Sequence, residues 1–251
     1  MPIIMRSLLR GRPKPSKPLF VPRRSWNLIN IYRNAPQKVT KPSKPPTGLP
    51  RSADTYSITS YLNSKGFHTF EGYTQQSLHQ VQDLIQLTNK PNINVMEIGF
   101  NAGHSAEVFL KNNKTLTLTS FDLGEHNYVT AAKEFIDKTY PNKHTLILGD
   151  SRITVPNYYK NNNTKFDVIF IDGGHDYDIA KADMQNCAQL AHKDTIVILD
   201  DVIFKKEWEK SYSIGPTQTW SEHLQENKII ELNRICYSNG RKGMTWGKYI
   251  L

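Results

Sequence analysis

Five predicted β-strands in the middle of the chain each end in a carboxylate. In an open parallel α/β sheet, ligands bind outside the carboxyl ends of the strands, so these acids are expected to meet in one crevice. A single acid at such a position is often only a turn residue or a helix cap. Five in succession favour a binding site. The acids are Glu97, Asp122, Asp150, Asp172 and the pair Asp200 and Asp201.

The first of these strands runs into a glycine turn, Glu97-Ile-Gly-Phe-Asn-Ala-Gly103, followed by His104 and Ser105. Glycine tolerates positive φ and lets the backbone approach a ligand closely. The helix predicted after the turn offers free N–H groups. The turn lacks the Gly-Lys-Ser/Thr of a phosphate-binding P-loop, which favours a ligand with little negative charge. The alternative is a turn that only joins strand to helix. The candidate ligand contacts are Glu97, Gly99, Asn101, Gly103, His104 and Ser105.

Two later strand ends suit a nucleoside. Asp122 lies 19 residues after Gly103, at the end of the second strand, where an acid accepts hydrogen bonds from ribose hydroxyls. Asp150 and Ser151 follow the third strand and could receive an adenine amino group. The pattern therefore predicts a nucleoside pocket beside the glycine turn.

The elements that must position these residues alternate between β and α. The pattern predicts a three-layer α/β sandwich with a Rossmann-like, mostly parallel seven-stranded sheet whose last strand is antiparallel. Asn239-Gly240 predicts the turn of a terminal hairpin, and Thr74 is a candidate N-cap. The predicted strands are 95–98, 115–121, 144–148, 166–171, 195–199, 228–237 and 244–251, and the predicted helices are 57–63, 75–87, 105–110, 128–139, 179–191 and 219–226.

Over about residues 70–251 the sequence resembles class I methyltransferases that use S-adenosylmethionine (SAM). The resemblance rests on the glycine turn, Asp122, Gly149-Asp-Ser151, the strand ending at Asp172 and the terminal hairpin. SAM carries a sulfonium and one carboxylate, in agreement with a turn that has no basic residue. Within this class, residues 171–177 and 198–202 look like the metal-dependent branch of macrolide-sugar and cephalosporin-pathway O-methyltransferases.

The resemblance to that branch implies roles for four residues. Asp172, Asp200 and Asp201 would bind Mg²⁺, and His175 would be the general base beside Asp172. The acidic pair in that branch can be Glu-Asp, whereas here it is Asp-Asp, which shortens one ligand arm. Mg²⁺ prefers oxygen ligands and acidifies a hydroxyl, and His175 could take the proton. The alternatives are a helix-capping His175 and a turn with one exposed acid.

The net charge of +9 comes from the N-terminal segment of the 251-residue chain. Residues 1–53 hold twelve Lys and Arg and no acid, which leaves 20 basic against 23 acidic residues in the rest, a balance of −3. The folded body is therefore not expected to bind nucleic acid. Ten of the fourteen prolines also lie in residues 1–53, which predicts a basic, Pro-rich, disordered arm. This arm could solubilise the protein, tether it to RNA or an acidic surface, or serve as a mitochondrial presequence.

No apolar run approaches the roughly 20 residues of a membrane span. The two cysteines, Cys187 and Cys236, show no metal-binding or disulfide spacing, which is compatible with a reducing compartment such as the cytoplasm. The sequence thus predicts residues 54–251 as an O-methyltransferase domain that uses SAM and Mg²⁺ on a hydroxylated, sugar-like small molecule. An RNA or protein methyltransferase guided by the arm, and a non-catalytic SAM-binding protein, stay open, as does an oligomer.

Overall fold

A seven-stranded sheet in the order β3-β2-β1-β4-β5-β7-β6 organises the molecule. The structure is a computed structural model and describes residues 57–72, 74, 77–237 and 242–251. The predicted arm, the start of the body at residue 54 and the Asn239-Gly240 turn lie outside these residues. The strands are β1 (Asn94–Ile98), β2 (Thr117–Asp122), β3 (His144–Leu148), β4 (Phe166–Ile171), β5 (Ala191–Asp200), β6 (Ile229–Cys236) and β7 (Gly243–Tyr249).

Strands β1 to β5 are parallel, and β7 is antiparallel to both β5 and β6. The predicted seven-stranded, mostly parallel sheet with an antiparallel last strand is confirmed. β4 is nearly continuous apolar sequence and lies at the centre, where both faces of the sheet are covered. The chain reverses its direction of winding between β1 and β4, so the crevice at the carboxyl ends of these two strands is the expected ligand site.

Helices cover both faces of the sheet and complete the three layers. Residues of α1 to α4 pack into one apolar cluster with one face of the sheet, whereas residues of α5 to α7 pack into a second cluster on the other face. Among the described residues, no helix is long and apolar enough to cross a membrane. The helices are α1 (Ile58–Ser64), α2 (Leu78–Leu87), α3 (His104–Asn112), α4 (Val129–Thr139), α5 (Ser151–Asn161), α6 (Tyr177–Ala188) and α7 (Ser211–Gln225), with a short 3₁₀ turn at Lys206–Trp208.

The predicted starts of two helices, α2 and α7, were wrong, and one helix, α5, was missed. α2 begins at Leu78 because Ser77, not Thr74, accepts the capping hydrogen bond, from the Gln80 N–H. α5 was not predicted, because it contains Pro156, and proline is unfavourable inside a helix. α7 begins at Ser211 rather than at residue 219, although Gly215 and Pro216 lie inside it. Both are buried, so tertiary packing outweighs their poor helix propensity.

The boundary between α6 and β5 also differs from the prediction. α6 ends at Ala188 and β5 already begins at Ala191, whereas the pattern predicted a helix through residue 191 and a strand from residue 195. The Phe166 N–H donates to the Leu190 carbonyl, and Phe166 is paired with Ala191. Pairing with β4 therefore pulls this segment out of the helix and lengthens the strand.

Candidate active site

A cavity of about 420 Å³ opens at the carboxyl ends of the parallel strands. Residues from the ends of β1, β2, β3, β4 and β5 reach it, and four of the six terminal acids, Asp122, Asp150, Asp172 and Asp201, lie in its lining. Its lining includes Gly99, Asn101, Asp122, Asp150, Ser151, Asp172, His175 and Asp201, together with Glu71, His126 and Lys242.

The glycine turn forms one wall of the cavity because its backbone comes unusually close to its neighbours. Gly99 has a φ of +96°, and a Cβ at this position would lie 1.9 Å from the Asp172 carbonyl oxygen. Gly103 has a φ of +74°, and a Cβ there would lie 2.8 Å from Cδ1 of Ile58 in α1. Both positions therefore require glycine. The turn is pressed between the end of β4 and the first helix, which leaves its outer edge free to face a ligand.

Asp122 holds the glycine turn in place and also faces the cavity. One carboxylate oxygen accepts the Asn101 N–H at 2.7 Å, and the other accepts the Gly124 N–H at 2.8 Å. Each oxygen has a second lone pair, so Asp122 can still accept hydrogen bonds from a diol. The geometry is compatible with the predicted ribose contact.

Asp150 and Ser151 lie at the rim of the cavity, where β3 leads into α5. The Asp150 carboxylate caps α5 through the Arg152 N–H and forms an ion pair with the Arg152 guanidinium at 2.5 Å. These hydrogen bonds lower the pKa of Asp150. An ionised acid at this rim can accept a hydrogen bond from an exocyclic amino group.

Four of the predicted cofactor contacts do not line the cavity: Glu97, Gly103, His104 and Ser105. Glu97 is fully buried and accepts hydrogen bonds from the hydroxyls of Ser105 and Ser120. Burial raises the pKa of Glu97 to about 7. His104 is 3% exposed, and its Nε2 lies 2.9 Å from the Thr59 hydroxyl. These residues support the loop in this structure, and direct contact with a cofactor stays a prediction for them.

Asp172, His175 and Asp201 meet at the opposite end of the cavity from the α5 rim. One nitrogen or oxygen atom from each lies within 4.8 Å of the other two, close enough for a shared metal ion. His175 Nε2 is 2.9 Å from Asp201 Oδ2. The His175 side chain is 41% exposed, so a substrate can reach it. The hydrogen bond to Asp201 raises the pKa of His175, whereas burial and the neighbouring Asp200 and Asp201 charges raise the pKa of Asp172 well above its usual range.

Asp200 and Asp201 are consecutive in sequence but differ in surroundings. Asp201 has a φ of +56°, a left-handed conformation that is uncommon outside glycine, and its carboxylate lines the cavity. Asp200 is 2% exposed and is not part of the lining. Its Oδ2 accepts a 2.7 Å hydrogen bond from Gln80 Nε2 in α2. The structure thus brings Asp172, His175 and Asp201 together and places Asp200 behind them.

Sequence reasoning missed several residues of the lining. Glu71 precedes α2 in a loop, with its carbonyl 2.6 Å from Asn101 Nδ2 and its carboxylate 2.8 Å from His126 Nε2. Lys242 immediately precedes β7 and lines the cavity, and the next residue, Gly243, accepts a hydrogen bond from the Val202 N–H. Burial opposes the Lys242 charge, but Asp200, Asp172 and Asp201 outweigh it and raise the Lys242 pKa. No local sequence signal marks these residues, because only the tertiary fold carries them to the site.

Comparisons with known proteins agree with this fold. Residues 96–202 match the family model described as a methyltransferase domain. An O-methyltransferase from Bacillus cereus in complex with S-adenosylhomocysteine (SAH) is 14% identical, with a TM-score of 0.64 over 80% of this chain and 93% of that chain. TomG from Streptomyces achromogenes, an O-methyltransferase of tomaymycin synthesis in complex with SAM, is 13% identical, with a TM-score of 0.63 over 81% and 92%.

A third similar structure is CalS11, the TDP-rhamnose 3′-O-methyltransferase of calicheamicin biosynthesis. It is 18% identical, with a TM-score of 0.52 over 81% of this chain and 97% of that chain. No curated protein sequence matches the chain. The described residues therefore have the Rossmann-like fold of these methyltransferases, as the sequence predicted, and residues 96–202 match a methyltransferase domain.

Proposed function

We propose that this protein transfers the methyl group of SAM to a hydroxyl of a sugar-like small molecule. The observation that carries the proposal is the meeting of Asp172, His175 and Asp201 at one end of a cavity whose other end is built from the glycine turn, Asp122 and Asp150. One end suits the cofactor and the other suits acid–base chemistry. The similarity to solved O-methyltransferases, including one that acts on TDP-rhamnose, supports this substrate class.

The side chains at the Asp172–His175–Asp201 end of the cavity are suited to a direct transfer of the methyl group from SAM to the acceptor oxygen. His175 takes the proton from the acceptor hydroxyl, while Asp201 orients the imidazole and stabilises its charged form through the 2.9 Å contact. The acceptor oxygen attacks the SAM methyl carbon. A new O–C bond forms as the S–C bond breaks, and the products are the methyl ether, SAH and a proton held on His175. Binding both reactants in one cavity supplies the required proximity.

The donor set also fits Mg²⁺, which prefers oxygen ligands and retains waters. Asp172 and Asp201 would hold it, because their carboxylate oxygens lie within 4.8 Å of one another. When bound, Mg²⁺ would lower the pKa of the acceptor hydroxyl and orient it. His175 is within the same distance, but the preference of Mg²⁺ for oxygen leaves the imidazole available as the base. Burial and the neighbouring Asp200 and Asp201 charges raise the Asp172 pKa, and a bound cation would favour the ionised carboxylate.

A screen of sugar and other hydroxylated acceptors with radiolabelled SAM tests the proposal. We expect His175→Ala to lower turnover by about 10²- to 10⁴-fold with unchanged SAH affinity in calorimetry. We also expect EDTA or Asp172→Ala to abolish turnover. The matched control is His192→Ala, because His192 forms a comparable 3.2 Å pair with Asp167 outside the cavity.

Each alternative mechanism or function predicts a different result in these assays. Turnover that survives both EDTA and Asp172→Ala would rule out the metal-assisted mechanism. Labelling of RNA or protein instead of small molecules would favour a methyltransferase guided by the arm. SAH binding without labelling of any acceptor would favour a non-catalytic SAM-binding protein. If the parent protein bound neither SAM nor SAH, the proposed function and both alternatives would be refuted.

A further inference from the structure

Gln80 in α2 is fully buried and reaches across the sheet edge to the acidic pair. Its Nε2 donates to Asp200 Oδ2 at 2.7 Å, across a sequence separation of 120 residues. A second hydrogen bond holds the same helix three residues later, where Asp83 accepts from the hydroxyl of Tyr237, the residue after β6, at 2.8 Å. Residues three apart share a helix face, so one face of α2 is fixed over the ends of β5 and β6. Gln80 is therefore held rigidly against Asp200.

Two acceptor atoms in this pair lack partners. Among the described residues, neither the remaining carboxylate oxygen of Asp200 nor the amide oxygen of Gln80 accepts a hydrogen bond. Both side chains are at least 98% buried, and leaving such acceptors unpaired costs free energy. Two buried acceptors next to a site for a hydrated cation are suited to hydrogen-bond donors such as water bound to that cation.

The three side chains that can reach a common ion do not include Asp200. Asp172, His175 and Asp201 form that set, whereas Asp200 is bonded to Gln80 and lies outside the cavity lining. The positive φ of Asp201 turns the chain directly after β5, so the two neighbouring carboxylates face different surroundings. The short Asp side chain at position 200 reaches less far than a Glu would.

We infer that Gln80 is a positioning residue that holds Asp200 outside the inner coordination shell of the cation, which Asp172 and Asp201 bind directly. Asp200 then contributes its charge and accepts a hydrogen bond from a coordinated water. This differs from the ligand set that the sequence resemblance implies, in which Asp200 binds the metal. The inference rests on the metal site of the proposed function, and it concerns affinity for a cation rather than turnover.

Mn²⁺ binding to the full chain, followed by electron paramagnetic resonance or calorimetry, tests the inference without any acceptor. We expect Asp201→Asn to weaken Mn²⁺ binding more than about 100-fold, because a direct ligand loses its charge. We expect Asp200→Asn, an equally isosteric change, to weaken it only about tenfold, in the range measured for outer-shell partners. Equal losses in the two variants would overturn the inference.

A double-mutant cycle tests the role of Gln80 itself. Gln80→Leu should weaken Mn²⁺ binding less than Asp200→Asn, because the Asp200 charge remains, and the double variant should be no weaker than Asp200→Asn alone, because both changes act through the same carboxylate. Additive losses would contradict this. The control is Gln218→Leu, because Gln218 donates to Glu222 at 3.1 Å outside the cavity. If Gln80→Leu does not fold, the comparison of the two Asp→Asn variants still decides.

The outcomes separate this inference from the proposed function. If the parent protein binds no Mn²⁺, the metal part of the proposed function fails and the inference fails with it. If the parent protein binds Mn²⁺ and Asp200→Asn loses as much affinity as Asp201→Asn, only the inference fails.

Discussion

His104 and His144 show how burial sets the charge of single residues around the glycine turn. His104 is packed behind the turn against Thr59, and burial lowers its pKa to about 4. His144, at the start of β3, stacks on Phe100 with ring centroids 5.0 Å apart, and burial lowers its pKa to about 3. Both imidazoles are therefore neutral in the folded protein at pH 7, and folding must exclude a proton from each at lower pH.

We predict that replacing His104 reduces the amount by which the free energy of unfolding falls between pH 7 and pH 5. An unfolded His titrates near pH 6.5, whereas folded His104 titrates near 4. The contribution of neutral His104 to the free energy of unfolding is thus complete above pH 6.5. It falls as the pH drops toward 4, and at pH 5 it is about 2 kcal/mol smaller. Chemical denaturation of the parent protein and His104→Gln at pH 7 and pH 5 should show this difference.

The comparison must be between variant and parent, because buried acids act with the opposite sign. The raised pKa values of Glu97 and Asp183, both about 7, make their contributions fall as the pH rises from about 4.5 to 7. His192→Gln, at a partly exposed site, is the control, and the pH dependence of each variant is compared with that of the parent. The same dependence in His104→Gln would contradict the prediction.

At the scale of elements, α7 positions the chemical end of the cavity. Gly215 packs directly on the loop that carries His175, and a Cβ there would lie 2.2 Å from the His175 carbonyl oxygen and 2.7 Å from the Tyr177 N–H nitrogen. One turn earlier, the Tyr212 ring lies 5.9 Å from the His175 ring. The contact between helix and loop therefore fixes the position of His175, the proposed base, and sets an aromatic side chain beside it.

We predict that Gly215→Ala lowers kcat by about 10- to 100-fold with little change in SAM affinity. Alanine favours a helix over glycine by about 1 kcal/mol, but its methyl group would push the His175 loop away, and a shift of about 1 Å is enough for such a loss. Steady-state kinetics and SAH calorimetry measure the two effects. Ser211→Ala, in the exposed first turn of α7, is the control. A Gly215→Ala enzyme with parental kcat and higher stability would refute the role.

At the scale of the whole molecule, the basic residues that give the chain its net positive charge lie in a different segment from the candidate active site. The twelve basic residues of the first 53 contrast with a balance of −3 in the remainder. The cavity lining described here begins at Glu71 and includes six acids, two of which, Asp172 and Asp201, belong to the chemical end. An acidic crevice suits the sulfonium of SAM and a metal cation, so the basic arm is expected to act on something other than the cofactor.

Deletion of residues 1–53 should leave SAM affinity unchanged and should abolish any salt-sensitive binding to RNA. Removing about twelve positive charges eliminates the electrostatic contribution to binding polyanions. Calorimetry with SAH and titration of an RNA oligonucleotide at two salt concentrations measure the two properties. A large loss of SAH affinity would show that the arm is part of the site. RNA binding that persists would assign it to the body of the protein.

Much of this architecture could be predicted from the sequence because its signals are local. Alternating strands and helices, the spacing of Gly99 and Gly103, and an acid after each strand follow from backbone propensity and from the period of apolar residues. The parallel sheet then brings the strand ends to one edge, which explains why Asp122, Asp150, Asp172 and Asp201 reach the same cavity. The class of protein follows from that pattern.

Only the tertiary structure decided which residues face the cavity and which support them. Glu97 ends a strand like the other acids, yet it lies fully buried between Ser105 and Ser120. Asp200 and Asp201 are chemically identical neighbours, and a backbone turn with positive φ together with a hydrogen bond from distant Gln80 gives them different surroundings. Sequence periodicity fixes the element that carries a side chain, whereas side-chain direction and partner depend on packing between segments far apart in the chain.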